Sequence, residues 1–109
     1  MTVLDLQRAL SLTPVALPED DREVEGVYIG DLLSWVMGRA QSGNVWLTIM
    51  SNLNIVAVAT LSDVSCILLC EGVSLEESVR STAEAKGINI LATDMTAFEA
   101  AKRLVELGL

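Results

Sequence analysis

Histidine is absent from the 109-residue chain, and cysteine, proline and aromatic residues are scarce. Without histidine, Ser-His and Cys-His nucleophilic pairs and every histidine-containing metal site are excluded. Aromatic residues make up 4% of the chain and hydrophobic residues 51%, so the core must be built from Val, Ile, Leu and Ala. That composition favours an α/β protein over an aromatic-rich β-barrel.

Basic residues are also few, with seven Lys and Arg against 15 Asp and Glu, for a net charge of −8. Nucleic acids and anionic membrane surfaces attract clustered basic residues, and here these are scattered. We therefore expect no nucleic-acid and no membrane partner. The acidic run over residues 19–25 is interpreted as a solvated loop, and the net charge as an aid to solubility.

The only two cysteines, Cys66 and Cys70, lie on one predicted strand. At the rise of an extended chain their backbones are about 13 Å apart, too far for a disulfide. We expect both to be reduced core thiols. The sequence also shows no signal peptide, no unbroken stretch of about 18 apolar residues and no disulfide framework, which favours a cytoplasmic protein.

The central stretch Asn44–Gly72 predicts a strand–helix–strand unit. Its expected elements are a strand at Val45–Met50, a helix at Leu53–Leu61 and a strand at Ser65–Cys70. Both strands are apolar on both faces, which is typical of a parallel sheet covered by helices on each side.

Helical spacing and capping residues predict four further helices. Thr2 is the expected N-cap of a helix at Val3–Leu10, and Asp31 the expected N-cap of a helix over residues 32–40 that Gly43 follows. Ser74 and Glu77 form a capping-box pattern that opens a helix reaching Lys86 and stopped by Gly87. Thr96 and Glu99 repeat that pattern before a last helix, whose expected buried stripe is Ala97, Phe98, Ala101, Leu104 and Val105.

Weaker strands are expected at Leu12–Leu17, Val24–Ile29 and Ile88–Ala92. Pro14 restricts the first of these to a sheet edge. Alternation of strands and helices predicts an α/β fold, a three-layer α/β/α arrangement with a mainly parallel sheet of about four to five strands. The chain reads as one domain over residues 1–109, without an internal repeat or linker.

Polar residues follow the predicted strands, where open α/β sheets bind ligands. Candidate ligand-binding residues are Ser51, Asn52, Asn54, Thr93 and Asp94. The alternative is that one Asn caps the central helix and the others form an Asx turn. Neither common nucleotide-binding glycine motif occurs, and the adjacent carboxylate pairs look solvent-facing. We therefore expect no catalytic residue, no metal and no cofactor.

The two tryptophans have different expected roles. Trp46 is placed in the core, whereas Trp35 widens the apolar arc of its helix and lies four residues from Arg39, which can cover its ring. The central helix is apolar nearly all round, so we expect burial on both of its sides. A subunit interface would provide this, with a hetero-partner or deep burial as alternatives. Its candidate residues are Trp35, Leu53, Val56, Ala57 and Thr60.

The segments GVYIGDLLSWVMGRAQSGNVWLTIMSNLNIVAVATLSDVSCILL and TDMTAFEAAKRLVELGL resemble the small stand-alone DRTGG-domain proteins of anaerobic bacteria, including hydrogenase-associated types. The resemblance covers residues 21–109. Its landmarks are Tyr28, Asp31-Leu32-Leu33-Ser34, Trp46-Leu47-Thr48, Asn54-Ile55-Val56-Ala57-Val58-Ala59 and Ala97-Phe98-Glu99. Asn52-Leu53 stands where many relatives have Asp-Arg, and Cys70-Glu71-Gly72 where they have Thr-Gly-Gly.

The family is related to the N-terminal domain of HPr kinase/phosphorylase and is found within some pyrophosphatases. The resemblance implies a three-layer fold, a dimerisation or regulatory role and no activity of its own. We therefore expect a non-catalytic regulatory or assembly module, a homodimer that acts through a protein partner, redox- or hydrogenase-associated by resemblance. The alternative is a sensor of a nucleotide or of a phosphorylated or acidic metabolite.

Overall fold

The alternating apolar segments fold into one sheet with helices on both faces, in a computed structural model that describes residues 1–109. This confirms the expected α/β/α class with a mainly parallel sheet. The strands are β1 (Thr13–Ala16), β2 (Val27–Ile29), β3 (Val45–Thr48), β4 (Cys66–Leu69) and β5 (Ile90–Ala92). The helices are α1 (Val3–Ala9), α2 (Leu33–Arg39), α3 (Asn54–Ser62), α4 (Glu77–Lys86) and α5 (Ala97–Glu106).

The strand order across the sheet is β1-β5-β4-β3-β2. β2 to β5 are parallel, and β1 pairs antiparallel with β5, so the strand that contains Pro14 lies at an edge as predicted. Right-handed crossovers place α2, α3 and α4 on one face. Helices α1 and α5 cover the other face, and each face has its own apolar cluster.

The central strands divide their side chains between the two clusters. Trp46 points towards α2 and α3, is fully buried, and donates its Nε1–H to the carbonyl oxygen of Gly30 over 2.9 Å. Cys66 and Cys70 point to the opposite face and are both free and buried, which confirms the prediction of core thiols. Burial raises the pKa of the Cys66 thiol to about 12 and that of Cys70 to about 11.

Two of the predicted N-caps are confirmed. The Thr2 hydroxyl accepts the amide of Asp5 at the start of α1, and the Thr96 hydroxyl accepts the amide of Glu99 at the start of α5. Gly87 ends α4 in a left-handed conformation with φ of 74°, as its position predicted.

The other two predicted N-caps are wrong. Helix α2 begins at Leu33, and the Asp31 carboxylate instead accepts bonds from the Thr48 hydroxyl and the Ile49 amide at the end of β3. Helix α4 begins at Glu77 without a side-chain cap, so Ser74 lies outside it. In both places the helix starts later than the pattern predicted, beyond the reach of the proposed cap.

The predicted buried stripe of α5 is partly wrong. Ala100 and Leu104 are fully buried, whereas Phe98 is 78% exposed and Val105 is 66% exposed. The helix therefore turns Ala100 and Leu104 to the sheet and leaves Phe98 and Val105 outside the core. The predicted stacking of Arg39 on Trp35 is confirmed, with the guanidinium carbon 3.6 Å from the ring centroid.

β1 and β2 lie at opposite edges of the sheet, so the acidic segment over residues 17–26, the crossing loop, spans the full width between them. Three buried polar side chains bind its backbone, each placed just before a strand. Asn89, Ser65 and Asn44 bond the main chain of Glu19, Glu23 and Glu25, in that order along the loop. The acidic side chains thus stay mostly at the surface, as predicted, while the backbone is fixed.

An ion pair also anchors the crossing loop to the end of α3. Arg22 lies 2.9 Å from the Asp63 carboxylate, which additionally accepts a bond from the Ser42 hydroxyl. Asp63 ends α3 with a left-handed φ of 55°. These hydrogen bonds, the Ser42 bond foremost, hold the pKa of Asp63 below its usual range.

We expect acid to loosen this fastening. The pKa of Asp63 is lower in the folded than in the unfolded state. Its contribution to the free energy of unfolding is therefore present above the unfolded-state pKa and is lost as the pH falls through the folded-state pKa. The Tm should therefore decline below about pH 4. In Asp63→Asn the starting Tm should be lower and the decline shallower, measured by thermal unfolding across that range. An equally steep decline in Asp63→Asn would contradict this account.

Candidate functional site

The carboxyl ends of β2, β3, β4 and β5 meet at one edge of the sheet because these strands are parallel. Two separate clefts open there. The first, named the polar cleft, has a volume of about 450 Å³ and lies between the starts of α3 and α4. Its lining residues are Ile49, Met50, Ser51, Asn52, Leu53, Ser74, Glu76, Ser78 and Val79.

Asn52 has a structural role beside its place in the polar cleft. Its Oδ1 accepts the amide of Asn54 over 2.9 Å, which is an Asx turn leading into α3. Asn54 does not line the cleft. Across the cleft, no side chain caps α4, so its first amides have no side-chain partner. The cleft therefore combines hydroxyl and amide groups with the amino end of α4.

The predicted ligand-binding residues do not share one cleft. Thr93 and Asp94 line the second cleft, of about 300 Å³, on the far side of β4. Its other lining residues are Ser11, Thr13, Gly72, Val73, Ala92 and Met95. Ser51 and Asn52 belong to the polar cleft, so the sequence grouped residues that the strand order separates.

The sequence-based prediction missed Ser74, Glu76 and Ser78, which are three of the five polar residues that line the polar cleft. Their signal was available, because they follow β4, the strand that directly neighbours β3. The Glu76 carboxylate is the only ionisable group among the lining residues. The cleft thus offers an anionic ligand helix amides and hydroxyl groups but no basic side chain.

The turn between the two clefts contains an unfavourable backbone conformation. Glu71 has φ of 61°, the left-handed region that a residue with a Cβ rarely adopts, and Gly72 follows with φ of 72°. The turn is held by bonds from the Glu71 amide to the Met95 carbonyl and from the Gly72 amide to the Thr93 carbonyl. Two successive left-handed residues make both positions favourable for glycine.

We expect Glu71→Gly to stabilise the domain. A side-chain residue in the left-handed region costs about 1–2 kcal/mol, and the added freedom of glycine in the unfolded chain costs about 0.5–1 kcal/mol. The free energy of unfolding, measured by urea titration, should therefore rise by about 0.5 kcal/mol. Glu71→Ala is the matched control, since it removes the same charge but keeps the Cβ. An equal gain in both variants would show that charge, not backbone conformation, is responsible.

Most of the predicted interface residues are exposed, with Trp35 on α2 and the others at the start of or along α3. Trp35 is 52% exposed and Leu53 is 53% exposed, and Ala57 and Thr60 are also exposed. Val56 is only 3% exposed, and it lines the floor of a groove between α3 and α4. Within this single chain α3 is buried on one side, and burial of its other side by a subunit or partner stays a prediction.

The groove beside Val56 has a volume of about 400 Å³. Its walls are Leu53, Ala57, Thr60 and Leu61 from the α3 side and Thr82 and Lys86 from α4. We name the exposed residues Trp35, Leu53, Ala57, Thr60 and Leu61 the helical surface. Leu61 is 73% exposed, so the apolar character of α3 extends well beyond the core.

The family to which the chain belongs is shown by a model of the DRTGG domain, which matches residues 8–107. This chain is a member of the DRTGG domain family. No curated protein matches the chain. No helix in the structure has both the length and the apolar character needed to cross a membrane.

The fold is similar to a solved structure of the CBS and DRTGG domains in the regulatory region of Clostridium perfringens pyrophosphatase, complexed with the activator diadenosine tetraphosphate. The TM-score is 0.76 at 15% sequence identity, over 95% of this chain and 46% of that one. The chain therefore spans about half of that regulatory region. At this identity the likeness shows a common fold.

Proposed function

We propose that this domain is a non-catalytic regulatory or assembly module that forms a homodimer and acts through a protein partner. The observation that carries the proposal is the helical surface, where large apolar side chains are exposed on a well-packed domain. Family membership supports it, since a DRTGG domain is part of a regulatory region in the pyrophosphatase.

Burial energies indicate what the helical surface can contribute. Full burial of a leucine side chain stabilises by about 1.5–3 kcal/mol, and Leu53 and Leu61 are both more than half exposed. Trp35, stacked under Arg39, adds an aromatic and guanidinium pair of the kind enriched at binding hot spots. Covering this surface would remove an unfavourable contact with water.

The reactive groups of the chain support a non-catalytic role. The two thiols are buried with raised pKa values, which disfavours the nucleophilic thiolate. Within the structure, no three carboxylate or thiol groups lie close enough together to hold a metal ion.

Two measurements test the association. Size-exclusion chromatography with light scattering should give the mass of a dimer at tens of micromolar. Affinity capture with the wild-type domain should retain a defined partner, and the single variant Leu61→Asp should lose it. Ser81→Asp, an equal charge change at an exposed site on α4, is the control. A strict monomer that captures no partner would overturn the proposal.

A second candidate function, a small-ligand sensor, is favoured by the polar cleft. Its volume suits a small molecule, and hydroxyl and amide groups converge on the uncapped start of α4. The pyrophosphatase region is bound to a nucleotide activator, which suggests nucleotides as the first ligands to screen. Glu76 and the net charge of −8 oppose a phosphate, so this candidate ranks second.

A thermal-shift screen tests the sensor. A ligand at 100 times its Kd raises stability by about 2.7 kcal/mol, which is readily visible as a higher Tm. Ser78→Ala should weaken the shift, and Asn54→Ala, outside the cleft, should leave it unchanged. If nucleotides and phosphorylated metabolites move neither the wild type nor the variants, the sensor is excluded for those ligands.

A further inference from the structure

The two edges of the sheet differ in their protection against pairing with another strand. At the β1 edge, Pro14 and a register shift between Pro14 and Ala16 interrupt the strand. Such interruptions are how proteins normally block edge-to-edge association. The β2 edge, Val27–Ile29, has no proline, no register shift and no charged side chain.

The hydrogen bonds of β2 show which backbone groups are free at that edge. The Gly26 carbonyl accepts the Val45 amide over 3.0 Å, and the Gly30 amide donates to the Leu47 carbonyl over 3.2 Å. Bonding residues alternate along a parallel ladder, so Tyr28 also bonds towards β3. The N–H and C=O groups of Val27 and Ile29 therefore point away from the sheet.

Helix α5 extends this edge with an apolar flank. Ala101, Val105 and Leu109 form a cleft of about 510 Å³ with Val27, Tyr28 and Ile29, and all six lining residues are apolar. Phe98 lies one helical turn before Ala101 on the same side of α5. Phe98, Val105 and Ile29 are 78%, 66% and 50% exposed.

We propose that a second copy of this chain docks at the β2 edge, pairing β2 antiparallel with its own copy. This inference rests on the proposed homodimer and assigns its interface. With a two-fold axis at Tyr28, Val27 of one copy lies opposite Ile29 of the other. The two pairs exchange four backbone hydrogen bonds, so every outward group of both strands gains a partner.

The same axis brings the α5 flanks together, because it runs perpendicular to the sheet and leaves both helices on one face. The exposed parts of Phe98, Val105 and Ile29 amount to roughly 350 Å², close to half of the ~800 Å² per partner in a standard interface. The outer backbone of β2 and the rest of the α5 flank would add further buried area to the same interface. The helical surface then remains free for the protein partner.

Variants at the two surfaces distinguish this interface from the helical surface. By light scattering, Val105→Glu should raise the dimer Kd at least tenfold, and Ile29→Pro should do the same by removing one outward N–H that β3 does not use. Leu61→Asp should leave the Kd within about twofold. Far-UV circular dichroism checks that each variant is folded, and the exposed Val105 site keeps the test valid should Ile29→Pro fail to fold.

Amide hydrogen exchange tests the strand pairing itself. The amides of Val27 and Ile29 should exchange slowly where the protein is dimeric and fast after dilution below the dimer Kd. A dimer that Leu61→Asp disrupts, or one in which these two amides stay unprotected, would overturn the β2 interface while leaving the proposed homodimer standing. A wild type that is monomeric at hundreds of micromolar would overturn both.

Discussion

Trp46→Ala should lower the free energy of unfolding by about 3–5 kcal/mol, a large share of the total for a domain of this size. Trp46 is fully buried at the centre of the sheet, where its ring fills the space between β3 and the α2–α3 layer. Truncation leaves a cavity in a close-packed core and also removes the bond to the Gly30 carbonyl. Urea unfolding followed by circular dichroism measures the loss.

Two control variants separate the contributions. Trp46→Phe keeps most of the ring but not the Nε1–H, so about 1–2 kcal/mol should be lost. Trp35→Ala removes the other tryptophan, which is half exposed, and should cost less than about 1 kcal/mol. A Trp46→Ala effect as small as that of Trp35→Ala would contradict the packing of β3.

Asn89→Ala should lower the free energy of unfolding by about 2–4 kcal/mol, because it removes the hydrogen bonds that hold the crossing loop. The Asn89 Nδ2 group donates to the Glu19 carbonyl over 2.7 Å and to the Ser65 carbonyl over 3.0 Å, and its Oδ1 accepts the Glu19 amide over 2.9 Å. Asn89 is 2% exposed, so water cannot readily replace these bonds. Asn54→Ala, at an exposed asparagine, should be nearly neutral in the same urea titration.

The pH dependence of the stability of Asn89→Asp tests whether Asn89 acts as a hydrogen-bond donor. The introduced carboxylate keeps the acceptor but faces two carbonyl oxygens without a donor, and burial raises its pKa. Protonation of the introduced carboxylate restores one donor. The free energy of unfolding of Asn89→Asp should therefore approach that of the wild type as the pH falls from about 7 to about 5. A deficit that is constant over this interval would show that Asn89 does not act as a donor.

The sequence predicted the layers of this fold well because each one leaves a repeating pattern. Strands buried on both faces are almost entirely apolar, as β3 and β4 are, and the caps at Thr2 and Thr96 act within their own helices. Asp31 was assigned wrongly because a carboxylate before a helix can equally bond a neighbouring strand. Whether Asp31 caps the helix or bonds a strand depends on which strand lies beside it in the fold. The spacing of residues along the chain does not encode that neighbour.

The candidate sites were less predictable for the same reason. Whether Thr93 joins Ser51 in one cleft depends on the position of β4 between their strands. The burial of α5 was misjudged because the helix has more apolar residues than its sheet face can cover. Phe98 looked like a core residue by type, but it is exposed and lies one helical turn before Ala101, which lines the cleft beside β2.

The crossing loop has a consequence for the order of folding. Its three anchors stand at the starts of β3, β4 and β5, so its binding site exists only after these strands have aligned. The loop should therefore dock after the rate-limiting barrier, with φ-values near zero. Asn89→Ala should then speed unfolding and leave the refolding rate almost unchanged in stopped-flow experiments, so that docking of this loop lengthens the lifetime of the native state.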